Sequence, residues 1–466
     1  MTSDPILVSS WDQHGRGVAS YSQQDRCTSV AIPGSIVGER VSISQPVKTR
    51  SGKVATIESV SSPSPFRSTP QCPHFMVCGG CVWQHLKYDH QLQIKQQWIE
   101  ELFSPLCQYK SLIHSIIGSP KVWHYRNKME FSFSQDKEGH KFLGLYKYRS
   151  RVVDVLSCPI SNPWMAETLL SIRQWWKKSP LLAYFPKNNS GTLQTVTFRE
   201  GMTTGDRMVI LTLSGNPAFA PKKEHLDLFI EAVKKTAEPS IGHLSIVVRI
   251  KQIAKSRPTQ FYEMVLFGPD YFRERLTITP VKKELEFQIS PQSFFQPNTE
   301  QALTIYSQVL EMANITPDDT VWDLYCGIGI FGMFSALLAQ SSVGIEISRD
   351  SAYDATTNAK RLGLANFSIH CGDTATAISS MKKEGSFTKP TTIIVDPPRA
   401  GLSEKAIREI ETLDAQKLLY VSCNPRSQKR DVTLLLQQGW SILAIVPIDQ
   451  FPHTPHLENI IHLEKR

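Results

Sequence analysis

The apolar positions of this chain change rhythm along its length. From about Ile6 to Val60 they form short β-rich runs broken by turns. The clearest is "VAIPGSIVGERVSISQPV", where Pro33, Gly34 and Gly38 punctuate Val30, Ile32, Ile36, Val41 and Ile43. Short strands at this spacing predict a small OB-like β-barrel over residues 1–62, a type of module that often binds oligonucleotides. The Ser- and Pro-rich run from Ser59 to Cys72 predicts a linker. Leu92, Ile99, Leu102 and Phe103 recur at helical spacing and predict an amphipathic helix from Trp83 to Phe103. Strand-like runs such as "RMVILTLSG" and "LSIVVRIKQ" predict a central α+β domain over 72–285.

From about Val281 onward strands and helices alternate. "TVWDLYCG", "SVGIEIS", "FSIHCGD", "TTIIVDPP" and "KLLYVSC" are strand-like, with helical runs such as "FGMFSALLAQ" and "DSAYDATTNAKRLG" among them. This pattern predicts an α/β fold: a Rossmann-like, doubly wound, mostly parallel sheet over 286–466. Ligands of such sheets bind at the carboxyl ends of the strands, near the switch point.

Composition narrows the class. No apolar run in the 466 residues reaches the roughly 18 that suggest a membrane span, and Met1 to Ser10 lacks the order of a secretory signal. The expectation is a cytoplasmic protein with no membrane association and no evident obligate protein partner. The net charge of +8 is uneven, +6 through Cys158 and +2 beyond it. A basic N-terminal third suits a polyanion, and a merely solvated basic surface accounts for it equally well. Nine cysteines, an odd number, argue against a disulfide scaffold and for metal binding or catalysis.

Gly327, Gly329 and Gly332 match G-x-G-x-x-G, a weak signal alone. Asp323 precedes the loop, Glu346 ends the next strand and Asp373 the third. A carboxylate at Glu346 can accept from both ribose hydroxyls of S-adenosylmethionine, and Asp373 can meet the adenine side. Each acid has a rival reading as a loop or helix cap, and a nicotinamide enzyme would share Glu346. Further on, "IIVDPPRAG" puts Asp396 at a strand end and "LLYVSCNPRS" does the same for Cys423. A cysteine there opens onto the crevice, although most lone cysteines are small buried hydrophobes. "HTPHLE" then sets the carboxylate of Glu458 before the final strand.

With "FFQPN" (Phe294 to Asn298), "DLYCGIG", "DPPRAG", "SCNP" and "HTPHLE", the chain resembles the RNA uridine-5-methyltransferase family over nearly its whole length. Within that family it resembles the iron–sulfur branch that acts on 23S ribosomal RNA. The resemblance implies Cys423 as nucleophile and Glu458 as base. It also implies S-adenosylmethionine contacts at Gln296, Tyr325, Ile330, Glu346, Asp373 and Asp396. Ile330 departs from the polar residues common at its position, so a backbone contact is implied there.

Cys72, Cys78 and Cys81 form C-x5-C-x2-C, with Gly79 and Gly80 allowing a sharp turn, and Cys158 is the candidate fourth ligand. Spacing alone leaves four-cysteine zinc and an iron–sulfur cluster open. The resemblance of "CGGCVWQHLKYDHQLQIKQ" to the branch signature implies a [4Fe-4S] cluster. The N-terminal module resembles a TRAM domain, which implies phosphate contacts at Arg16, Arg40, Lys48, Arg50 and Lys53. Aromatic and basic residues interleave at Trp123, His124, Tyr125, Arg126 and Lys128, which suits splayed-out RNA; for Trp123 and Tyr125 a core aromatic cluster is an equal alternative.

Overall fold

The computed structural model describes residues 4–23, 26–147, 151–253, 259–384 and 388–465. Seven short strands make the N-terminal β domain: Ile6–Trp11, Gly17–Gln23, Arg26–Ile32, Arg40–Ile43, Val47–Thr49, Gly52–Val54 and Ile57–Ser62. Period-2 alternation sends Val30, Ile32, Val41 and Ile43 inward beside Val8 and Ala19. The expected linker is pinned down instead. Its first residues complete the last strand, and buried Glu39 accepts from Ser64 N (3.0 Å) and from the Arg67 guanidinium (2.7 Å).

In the central domain a seven-stranded sheet runs, edge to edge, through Val152–Asp154, Lys141–Tyr146, Lys128–Gln135, Leu193–Glu200, Arg207–Ser214, Leu244–Gln252 and Gln260–Phe267. Helices Pro163–Lys178 and Lys223–Ala237 cover one face. From the other face Met208, Ile210 and Val247 join the core of the C-terminal domain.

That last domain is built on β1 (Thr320–Leu324), β2 (Ser341–Glu346), β3 (Phe367–Cys371), β4 (Thr392–Val395), β5 (Lys417–Ser422), β6 (Trp440–Ile448) and β7 (Glu458–Lys465). Their order is β3-β2-β1-β4-β5-β7-β6, and β7 alone runs against its neighbours. The winding reverses between β1 and β4, which opens a crevice at their carboxyl ends.

Two boundaries differ from expectation. The division expected at 285/286 cuts the strand Glu284–Ile289, which pairs with Phe272–Thr277. A two-stranded hairpin cannot bury its own apolar face, and Leu276, Leu285, Phe287 and Ile289 pack in the C-terminal core with Val309, Phe331 and Phe334. The helix, Tyr88–Phe103, also belongs to the C-terminal domain. Ile99 and Phe103 pack among Trp322, Leu418 and Ile445, and Ile113 and Ile117 pair with Ile445 and Ile448 at the outer edge of β6. Periodicity shows which side of a helix is apolar, not what will cover it.

One ion pair fastens this helix to the sheet. Lys95 Nζ donates to Asp449 Oδ1 at 2.6 Å, and both side chains are fully buried. Burial pulls the Lys95 ammonium below its ordinary range and the Asp449 carboxylate opposes that. Removing one partner strands the other charge. Asp449→Ala should therefore cost about 3–5 kcal/mol, read as a lower urea midpoint, and Lys95→Met with Asp449→Leu should recover most of the loss.

Candidate active site

The loop after β1 is shaped by three residues at positive φ: Tyr325 (63°), Gly327 (56°) and Gly329 (81°). Gly332 has a different reason, because a Cβ there would lie 2.4 Å from the Phe367 ring. Asp323 is buried, and its Oδ2 accepts from Gly332 N at 2.8 Å while Oδ1 has no partner among the described residues. Burial raises its carboxyl to about 8, helped by the charges of Asp396 and Glu346. Glu346 accepts from Gly327 N (2.9 Å) and Ser348 N (2.7 Å), so it also holds the loop in place.

The other expected cofactor contacts differ in setting. Exposed Asp373 accepts from Thr376 N (3.0 Å) and Thr376 Oγ1 (2.9 Å), capping helix Thr374–Glu384. Tyr325 bonds to Thr374 at that helix start. Gln296 is buried, its Oε1 accepting from Gln450 Nε2 at 3.3 Å. The Ile330 side chain lies in the core, leaving its backbone to face the loop.

Strands β4 and β5 end side by side at Asp396 and Cys423. Asn424 caps helix Pro425–Gln437, with Pro425 at its first turn. The Asn424 amide also donates to Arg399 O at 2.8 Å, joining the two strand-end loops. The last β5–β7 pair is Ser422 with Asn459. Cys423 and Glu458 are the residues next to that last pair, and the Glu458 carboxylate acts on the Cys423 thiol.

This corner is rich in buried negative charge. Glu458 is 2% exposed, and its Oε2 has no partner among the described residues. Burial, then the neighbouring Asp396, holds its carboxyl well above the usual range. Burial raises Asp396 too. The Cys423 thiol is pushed up to about 11 by burial and by Glu458 and Asp396, while the Arg399 guanidinium, bonded to it, pulls the other way. Sequence reading did not single out Arg399 inside its quoted motif. It also missed Tyr306 on helix Thr299–Ala313, whose buried hydroxyl feels Asp396, Asp323 and Glu458 and carries no motif of its own.

Cys423, Asn424, Arg399, Arg426 and His456 line one side of a cavity of about 520 Å³. Trp11 and His14 of the N-terminal domain and Trp98 of helix Tyr88–Phe103 line the other. Elsewhere the four singled-out cysteines, Cys72, Cys78, Cys81 and Cys158, meet around a cavity of about 320 Å³ that Arg126 and Lys128 also line. Burial, and the charge of neighbouring thiols, raises Cys81 to about 11 and Cys158 to about 12.

The expected RNA contacts divide. Arg40, Lys48 and Arg50 are exposed, whereas Arg16 pairs with Asp12 and Lys53 bonds Thr28 Oγ1. Trp123 stacks on His453 at 4.1 Å between centroids. Tyr125 is 3% exposed and donates to Pro452 O at 3.2 Å. These two rings serve packing, the alternative open from sequence.

Across 99% of both chains, the fold matches a tRNA (uracil-54, C5)-methyltransferase of Pyrococcus abyssi solved with S-adenosyl-L-homocysteine, with a TM-score of 0.73 and 22% identity. The two chains share one fold. A family model described as tRNA (Uracil-5-)-methyltransferase matches residues 232–466. An uncharacterised RNA methyltransferase of Protochlamydia amoebophila is 43% identical over 92% of this chain and 98% of its own. One from Chlamydia trachomatis is 34% identical over 84% and 98%. The chain belongs to the RNA uracil-5-methyltransferase family and is an RNA methyltransferase.

Because Arg399 is the cation that opposes the acids around Cys423, Arg399→Ala should raise the thiol further. Alkylation of Cys423 by iodoacetamide at about pH 8, followed by peptide mass spectrometry, should run about three- to tenfold slower. An unchanged rate would remove Arg399 from the electrostatics of the thiol.

Proposed function

We propose that this enzyme methylates carbon 5 of a uridine in ribosomal RNA, most specifically 23S rRNA, using S-adenosylmethionine. The observation that carries this reading is Cys423, just past the end of β5, under the influence of buried Glu458 at the start of β7, one of whose carboxylate oxygens has no partner among the described residues. Carbon 5 of uracil is too weak a nucleophile to take a methyl group unaided. Cys423, once its thiol proton has passed to solvent, adds as the thiolate to carbon 6 and drives the ring electrons toward carbon 5 and the carbon 4 oxygen, forming an enolate. S-adenosylmethionine supplies the methyl group as a sulfonium electrophile. Carbon 5 takes that methyl group while still carrying its proton, and the broken methyl–sulfur bond leaves its electron pair on S-adenosylhomocysteine. Glu458 then removes the proton, the C–H electron pair re-forms the C5–C6 double bond, and the Cys423 thiolate leaves.

The donor set fits a cationic ligand. Asp323 and Glu458 each present a buried oxygen with no partner, and Asp396 lies between their influences. Excess negative charge of this kind favours a sulfonium. In this reading Glu346 holds the ribose and Asp373 the adenine side, with Gln296, Tyr325 and the Ile330 backbone completing the contacts. Exposed Arg40, Lys48 and Arg50 on a TRAM-like domain meet phosphates, and the target base leaves its stack at a cost of a few kcal/mol.

For the four cysteines we favour a [4Fe-4S] cluster, which serves folding or RNA docking, since methyl transfer needs no electron transfer. The four line one cavity of about 320 Å³, and their setting in "CGGCVWQHLKYDHQLQIKQ" resembles the branch signature. Arg126 and Lys128 supply positive charge beside four thiolates. The enzyme works in the cytoplasm with its RNA.

Two measurements test this reading. Asp323, raised to about 8, and Asp396, also raised, take up protons as the pH falls through those values. A cation binds the ionised forms, so affinity for S-adenosylmethionine should weaken between about pH 8.5 and 6.5, by up to roughly tenfold per pH unit for each proton. S-adenosylhomocysteine, lacking the sulfonium charge, should weaken less; equal dependence by calorimetry contradicts the charge argument. Separately, Cys423→Ser should abolish turnover, and Glu458→Gln should accumulate a denaturation-stable protein–RNA adduct visible on a gel. Turnover by the serine variant would end the proposed pathway.

A further inference from the structure

The cysteine-bearing loop and the turn ahead of Glu458 form one hydrogen-bonded unit. Val82 N and Trp83 N, the two amides directly after Cys81, both donate to His453 O at 3.0 Å. Gln91, fully buried, answers from the other side: its Oε1 accepts from His453 N at 2.9 Å. Its Nε2 donates to Trp83 O (3.1 Å) and Leu86 O (2.9 Å), so one amide ties both partners together. His453 sits at φ 65°, a conformation costly for a residue with a side chain and held only by its surroundings. Those surroundings include the Trp123 ring stacked on it at 4.1 Å. The two preceding carbonyls are gripped as well. Pro452 O accepts from the Tyr125 hydroxyl, and Phe451 O from Lys95 Nζ at 3.3 Å.

We infer that Gln91 is a positioning residue for Glu458, and that the Cys72–Cys81 loop, with its three thiols and Cys158 bound to a cluster, fixes the Phe451–His453 turn and so the carboxylate five residues on. The inference rests on the proposed readings of the cluster and of Glu458 as the base. It gives the cluster a task in the reaction without moving an electron. Ligation immobilises Cys81, the next two amides carry that constraint to His453, and Gln91 closes the circuit. Proton removal from carbon 5 depends on where one carboxylate lies, and a displacement of about 1 Å is worth on the order of a hundredfold in rate.

The test uses the full chain with its cluster. Gln91→Leu should keep the cluster's visible absorption and bind RNA within about twofold of wild type, while kcat falls about 10- to 100-fold. The lost step should be proton removal, so a covalent protein–RNA adduct should build up, as it does when the base itself is removed. Gln91→Glu keeps an acceptor for His453 N and should recover part of the rate. Trp123→Ala, at a half-buried ring, offers a second route to the same phenotype should Gln91→Leu fail to fold. Hydrogen exchange over residues 449–458 should quicken about tenfold or more in these variants, and also in wild type stripped of its cluster by a chelator. Unchanged exchange after stripping, or wild-type adduct release in both variants, overturns the positioning role while leaving the proposed reaction standing. A wild-type protein that forms no adduct, or holds no iron, overturns the underlying reading and this inference with it.

Discussion

The site depends on the pairing of β5 with β7. Slipping that register by one residue would turn every β7 side chain to the opposite face and carry Glu458 away from Cys423. Burial on both faces holds the two strands: Leu418 to Val421 and Ile460, Ile461 and Leu463 are closed off from solvent. A side chain adds a specific lock. Gln428 Nε2 donates to Tyr420 O (2.8 Å) on one strand and to Asn459 O (3.0 Å) on the other, and Asn459 Nδ2 donates back to Gln428 Oε1 at 2.7 Å. This amide pair needs one register to satisfy its bonds, so it selects that register.

Around that pairing the protein accepts an electrostatic cost. Asp396 is buried within the influence of both Asp323 and Glu458, and the Arg399 guanidinium opposes the charge at Glu458 and Cys423. Buried carboxyls without partners destabilise a fold, and such clusters concentrate where a ligand or a reaction uses them. The scaffold behind them is correspondingly well bonded. Asp431 accepts from the Tyr420 hydroxyl and from Leu402 N, each at 2.7 Å, which fastens the loop beyond Asp396 to β5. Rigid supports hold the unstable corner.

The N-terminal domain is held near Cys423 by aromatic packing. Trp11 meets Trp83 edge-on at 5.8 Å, and Trp83 meets Trp98 at 5.4 Å. The fully buried Trp83 also donates from Nε1 to Gly15 O at 2.8 Å. These contacts carry the Trp11–His14 turn to the rim of the cavity at Cys423. A β domain that reads from sequence as a separate attachment is thereby part of the wall around the proposed uridine site.

Local signals were legible in the chain because they are local physics. Alternating apolar residues marked the N-terminal strands, and a strand–helix rhythm marked the parallel sheet, whose strand ends include Glu346. Motifs of a few residues singled out Cys423, Glu458 and the four cysteines, since a turn with glycine or proline advertises itself. Pairings across distance had no such signature. The place of helix Tyr88–Phe103 on the C-terminal sheet, the packing roles of Trp123 and Tyr125, and the buried Lys95–Asp449 pair were decided by which surfaces met. Sequence determined what each segment can form and which groups it offers. Tertiary structure decided which of those groups share a cavity and which charges go without partners, because burial and register are properties of the assembled chain.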